Sequence, residues 1–144
     1  MITLDTIRKP VTAELEAFDG FVDRQFTAEG ELLADMLRYA LSSRGKGIRP
    51  LLVMLSAAMN SPVEGAAKGR RVHLAAMLVE MIHVASLIHD DVIDEADMRR
   101  GKPSANARWQ SHKAVILGDY ILARNLNIGL TSGQFDLVTH VCGS

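Results

Sequence analysis

The chain has 144 residues, enough for one domain with a core of its own and not obviously for two. A hydrophobic fraction of 48% and a charged fraction of 23% exclude a disordered chain, and a formal net charge of -1 excludes a general nucleic-acid binder, which needs a basic excess to neutralise phosphates. The single cysteine, Cys142, excludes an internal disulfide and a cysteine-built metal site, and fits a reducing cytoplasm.

Read from its start, MITLDTIRKPVTAEL carries neither the basic opening nor the unbroken apolar run of a signal peptide. Pro10 suits a first helical turn, and Val11, Leu15, Phe18 and Val22 follow at helical spacing. A second amphipathic helix has Leu33, Met36, Leu37, Ala40 and Leu41 on its apolar face and ends at Ser42, Ser43 and Gly45. Pro50 opens a third, Leu51 to Met59, closed by Asn60, Ser61 and Pro62; being apolar nearly all round, it is expected to be central. The fourth runs from about Ala66 to Asp94. Its most apolar part, Val72 to Ile88, is interrupted by His73, Glu80, His83 and Ser86, so it reads as a buried helix and not a membrane span. Glu95 to Asn106 is a polar loop, a fifth helix spans roughly Ala107 to Leu130, and Thr131 to Gly133 breaks it before what looks like the start of another. No segment shows a period-two strand pattern, and no internal repeat is present, so the expected fold is all-α.

Two polar segments stand out against this apolar frame. In RGKGIRP, Arg44 to Pro50, Gly45 and Gly47 free the backbone to turn around Lys46, and Arg49 sits at a helix start that favours anions. This is not a Walker loop, which ends in Gly-Lys-Ser/Thr, and alone such a loop is most often a solvated connection. In HDDVIDEADMRRGKPS, His89 to Ser104, Asp90, Asp91 and Asp94 form D-D-x-x-D at the end of the long helix. Asp90 and Asp94 fall within about 40° of each other, and His83 lies about 20° from Asp90 two turns earlier. Three acids at a helix C-terminus repel one another and oppose the helix dipole, a cost that a cation removes. Magnesium, a hard ion that joins a few carboxylates to phosphates, is the natural candidate, with manganese also possible. Arg99, Arg100 and Lys102 add the positive charge that a diphosphate needs. An EF-hand does not fit, because the alternating oxygen ligands and central glycine are missing.

Taken together, GKGIRP, EMIHVASLIHDDVID, RRGKPS and GDYILAR, in this order and spacing, resemble the N-terminal half of the trans-isoprenyl diphosphate synthases, the polyprenyl synthetase family, from about Gly45 onward. Class I terpene cyclases also use an aspartate-rich motif, but the flanking basic motifs favour the chain-elongating synthases. The resemblance implies an isoprenoid-synthase-type helical bundle and a magnesium-dependent 1'-4 condensation of isopentenyl diphosphate with an allylic prenyl diphosphate. Asp90, Asp91 and Asp94 would hold metal against the allylic diphosphate, with Arg99 binding that diphosphate. Lys46, Arg49, His83 and Arg100 would hold isopentenyl diphosphate. Glu80, His89, Asp97, Lys102 and Asp119 are left as supporting or solvated residues. Ala85 and Ser86, just before the aspartates, would shape the pocket into which the product grows; their small size implies a medium- or long-chain product. A homodimer is expected, since family members pair through helices.

The same resemblance implies a missing second aspartate-rich motif, so the chain is expected to be the N-terminal portion of a longer domain. Two function classes follow: a prenyltransferase completed by further residues, or a catalytically inactive partner or binding module retaining part of the diphosphate site.

Overall fold

The computed structural model describes residues 1–61 and 69–143. A short helix α1, Leu4–Arg8, begins at Thr3, whose hydroxyl accepts the amide of Thr6. Pro10 falls in a 3-10 turn, Lys9–Val11, and α2 follows as Thr12–Gln25, so the first expected helix is preceded by a separate turn. Helix α3 is Glu31–Ser42, with Met36, Leu37, Ala40 and Leu41 buried as its periodicity requires. Helix α4, Ile48–Asn60, starts two residues before Pro50, which lies in the first turn where its absent N–H is no loss.

Helix α4 departs from the sequence expectation in its position. Only Pro50, Leu51 and Met54 are buried, while Leu52 is 57% and Met59 84% exposed. Its composition is central and its place is peripheral: it packs on the long helix, on α2 and on the Lys9–Val11 turn, and leaves Leu52 and Met59 exposed. The Pro62 closing signal and the expected start near Ala66 lie outside the described residues.

The centre is α5, Arg70–Ile93, which packs most extensively against α7, Ser111–Thr131, and next against α4. By length and composition alone α5 could cross a membrane, but its buried residues include His73, Glu80 and Asp91 together with Leu74, Met77, Leu78 and Met81. Each of those apolar side chains contributes on the order of 1.5–3 kcal/mol by leaving water. On α7, Ala114, Leu117, Ile121 and Ile128 are buried, and Asn125 donates to the Leu78 carbonyl at 3.0 Å. Gly118 lets the helices approach: a β-carbon there would overlap the His89 imidazole, whose Nε2 lies 3.2 Å from both the Val115 carbonyl and Asp119.

Two further expectations are corrected between α5 and α7. The polar loop contains an antiparallel hairpin, β1 Met98–Arg99 and β2 Lys102–Pro103, with Arg99 paired to Lys102. Its two turn residues, Arg100 and Gly101, have φ of 52° and 78°, the positive pair that a tight hairpin turn demands. The expected single helix from Ala107 is also divided, into α6, Ala105–Trp109, and α7, because Gln110 takes a φ of 78° that no helix can contain. Ser104 caps α6 and also donates to the Ala96 carbonyl at 2.6 Å, while Tyr39 donates to the Pro103 carbonyl at 2.6 Å, so the hairpin is tied to both α6 and α3. Helix α8, Phe135–Gly143, follows the Ser132–Gly133 turn and packs on α5 and α7.

Candidate active site

The glycine-rich loop is built by three arginines acting on its backbone and flanks. Arg44 donates to the Leu41 carbonyl at 2.9 Å and pairs with Asp19 of α2 at 2.9 Å. Arg8 donates to the Lys46 carbonyl. From the hairpin turn, Arg100 donates to the Arg44 carbonyl at 3.3 Å and lies directly over Gly45. A β-carbon at Gly45 would overlap that guanidinium, and its φ of 84° would strain any other residue. Gly47, with φ of 63°, then turns the chain into α4.

The result is a basic cleft of about 440 Å³ lined by Lys46, Arg49, His83 and Arg100, together with Arg44 and Glu80. Four residues singled out from three separate segments of the sequence therefore meet at one place. Burial, followed by the charges of Arg49, Arg100 and Arg99, holds His83 below the usual histidine range, so its imidazole is favoured in the neutral form. Glu80 sits one turn before His83, is 2% exposed, and its carboxyl is pushed above the usual range by burial against the opposing pull of Arg44, Arg49 and Arg100. Sequence reading left Glu80 without a role, although a lone carboxylate on an apolar helix three residues from His83 was a signal. Arg8 carried none, since its contact spans 38 residues.

The three aspartates have different surroundings. Asp91 is buried, and both its oxygens accept from Arg99, at 2.8 Å from Nε and 2.6 Å from Nη2. This pair uses two of the five N–H donors of Arg99 and one acceptor position on each Asp91 oxygen, and it fixes the hairpin to the end of α5. Asp90 and Asp94 are exposed, and the Asp94 amide closes the helix on the Asp90 carbonyl at 2.8 Å. Among the described residues no three carboxylates, imidazoles or thiolates lie close enough together to enclose an ion. What the two free carboxylates offer is a hard, oxygen-only donor pair one turn apart, which suits magnesium sharing its shell with waters and phosphate oxygens.

A stripe of α5 joins the two regions. Val79, Ile82, His83, Ser86, Asp90 and Ile93 fall within roughly 100° of the helix circumference, and all are exposed or half-buried. Ser86 lies on this stripe, its hydroxyl folded back onto the Ile82 carbonyl at 2.8 Å. Ala85, by contrast, is 2% exposed within the core. The stripe thus runs from the basic cleft, past small and apolar side chains, to the free aspartates.

Comparison with known proteins gives the same direction. The family model described as polyprenyl synthetase matches residues 30–142, beginning before the Gly45 at which the sequence motifs start. A nonaprenyl diphosphate synthase from Mycobacterium tuberculosis is 41% identical over 113 residues, covering 78% of this chain and 32% of the relative. The octaprenyl diphosphate synthase of Escherichia coli is 34% identical over 137 residues, covering 95% and 41%. Among solved structures, a decaprenyl diphosphate synthase from Rhodobacter capsulatus superposes with a TM-score of 0.83 at 27% identity, covering 96% of this chain and 42% of that one. The chain therefore spans well under half the length of these relatives. With its all-α fold, its basic cleft and its match over residues 30–142, the chain belongs to the polyprenyl synthetase family.

Proposed function

We propose that this chain forms one wall of the active site of a trans-polyprenyl diphosphate synthase, which condenses isopentenyl diphosphate with an allylic prenyl diphosphate. The observation that carries the reading is the convergence of Lys46, Arg49, His83 and Arg100 on one cleft, at the end of an open helical stripe that leads to Asp90 and Asp94.

In this reading the cleft receives the diphosphate of isopentenyl diphosphate. Lys46, Arg49 and Arg100 supply charge-assisted hydrogen bonds, and the neutral His83 offers one more without adding to the local repulsion. Asp90 and Asp94 would hold magnesium at the other end of the stripe; when bound, the metal supplies charge stabilisation for the departing allylic diphosphate. Asp91 fixes Arg99 on the hairpin, and so places Arg100, its neighbour, over Gly45. The apolar stripe between the two ends lets the carbons of both substrates meet away from water, which would otherwise capture the allylic cation. The double bond of isopentenyl diphosphate then attacks that cation, and loss of a proton completes the longer prenyl diphosphate.

A long-chain product fits the small Ser86 on the stripe and the names of the relatives. A homodimer through α7 fits its outer face, where Val115, Ile116 and Leu130 are exposed on one side. The test of the activity is incorporation of radiolabelled isopentenyl diphosphate, with magnesium and an allylic primer, by the protein that contains this chain. Product that disappears with Asp90→Ala supports the reading, and undiminished turnover in that variant rejects it.

A further inference from the structure

The basic cleft contains one group that an anion site does not obviously need. Glu80 lines it, is 2% exposed, and its Oε2 is fully buried with no hydrogen-bond partner among the described residues. An unsatisfied buried carboxyl is costly, and it lies beside a site whose ligand is itself an anion. Three elements present cations to the cleft, Arg44 and Lys46 from the loop before α4, Arg49 from α4 and Arg100 from the hairpin turn, and α5 adds the imidazole of His83, which is favoured in the neutral form. Asp19 of α2 is occupied with Arg44 at the rim.

We propose that Glu80 is the resident counter-anion of this cleft, holding its cations together when the site is empty and taking up a proton when a diphosphate enters. The inference rests on the diphosphate reading of the cleft. Without a ligand, four cations crowd a small volume, and the Glu80 carboxylate is the negative charge inside it that offsets their repulsion. A diphosphate brings more negative charge to the same cations, which leaves the carboxylate facing an anion without compensation. A proton from solvent then adds to Oε2, turning it from an acceptor into a donor that can face a phosphate oxygen. Burial already pushes the group toward that protonated form, against the pull of the three arginines, and the added anion acts in the same direction as burial. Ligand affinity should in consequence depend on pH through a residue that need not touch the reacting carbons.

The test is titration calorimetry of the protein with pyrophosphate, and separately with isopentenyl diphosphate, in two buffers of different ionisation enthalpy between roughly pH 5 and pH 8. The expected result is an excess proton uptake by the wild type over Glu80→Gln, approaching about one proton at its maximum, with wild-type affinity falling relative to the variant by up to about tenfold per pH unit. Glu80→Asp should keep the uptake. Infrared difference spectra of the wild type, which need no variant to fold, should show a protonated carboxyl band growing in as pyrophosphate is added. Equal proton uptake in wild type and Glu80→Gln, or no such band, overturns the proposal. If isopentenyl diphosphate binds without the difference, the counter-anion role falls and the substrate reading stands. If pyrophosphate shows the difference and isopentenyl diphosphate does not bind, the role stands and the substrate reading falls; binding of neither overturns both.

Discussion

Arg100 and Gly45 are held face to face: the guanidinium from the hairpin turn occupies the space that a side chain at Gly45 would fill, and donates to the carbonyl just before it. Two motifs separated by more than fifty residues are thereby joined into one cation cluster. Gly45→Ala is expected to displace Arg100 and, with φ at 84°, to add backbone strain of about 1 kcal/mol. Denaturant unfolding should show that modest loss, while the KM for isopentenyl diphosphate should rise about tenfold or more with little change in the KM for the allylic substrate.

Asp90 and Asp91 are neighbours in different surroundings, one exposed and one buried against Arg99, and substitution should separate them. Asp91→Ala leaves the Arg99 guanidinium without its bidentate partner and is expected to cost about 2–4 kcal/mol in stability. Asp90→Ala, at an exposed position, should leave the unfolding midpoint nearly unchanged and lower turnover by about a hundredfold or more. Equal stability losses in the two variants would contradict the division of roles.

Ser86 is the accessible position for changing product length. Ser86→Phe places a ring on the open stripe and is expected to shift the products to shorter chains on chromatography while the fold is kept. Ala85→Phe should also shorten them if that position reaches the pocket, but at 2% exposure it must displace core neighbours, at about 1–3 kcal/mol. Unchanged product length in both variants would remove these two residues from any role in setting it.

The pH dependence of stability follows from two buried groups, His73 and Glu80, and the half-buried His83. Burial, and then the charge of Arg24, holds His73 below its ordinary value; burial and the surrounding arginines do the same to His83. Both stay neutral in the fold, so their contribution is present above about pH 6.5, the unfolded histidine value, and is lost as pH falls through their lowered values. Glu80 has the opposite sign. Its raised value favours the fold in acid and costs stability as pH rises through it. Thermal unfolding should therefore show His73→Gln with a shallower acid decline than the wild type.

Much of this was legible in the sequence, for physical reasons that can be traced residue by residue. The amphipathic pattern of Met36, Leu37, Ala40 and Leu41 and the apolar run around Met77 and Met81 mark buried helix faces, because burial recurs at the helical period. Lys46, Arg49 and Arg100 stood out as charges beside glycines, but their grouping with His83 at one diphosphate came from the resemblance to the family. The hairpin was hidden, since its strands are two residues each and its first turn position is an arginine at positive φ. The break at Gln110 was hidden because the stretch from Ser104 to Leu117 holds neither glycine nor proline, and a glutamine at positive φ leaves no mark in the sequence. Helix α4 was misplaced because its composition reports that both faces avoid water and not which element covers them. The division between Asp90 and Asp91 could not be read from their adjacency, as helical rotation sends them about 100° apart and only the hairpin decides which one meets Arg99.

The central claim is that Arg49, on α4, and Arg100, on the hairpin, hold the same diphosphate. The most direct measurement is a double-mutant cycle on isopentenyl diphosphate binding by calorimetry, with Arg49→Ala, Arg100→Ala and the pair. Each single change is expected to weaken binding by about 1.5–3 kcal/mol, roughly ten- to hundredfold, and the pair to be clearly non-additive because the two act on one ligand group. Binding unaffected by Arg100→Ala, or measurable only through Arg49, would contradict the account.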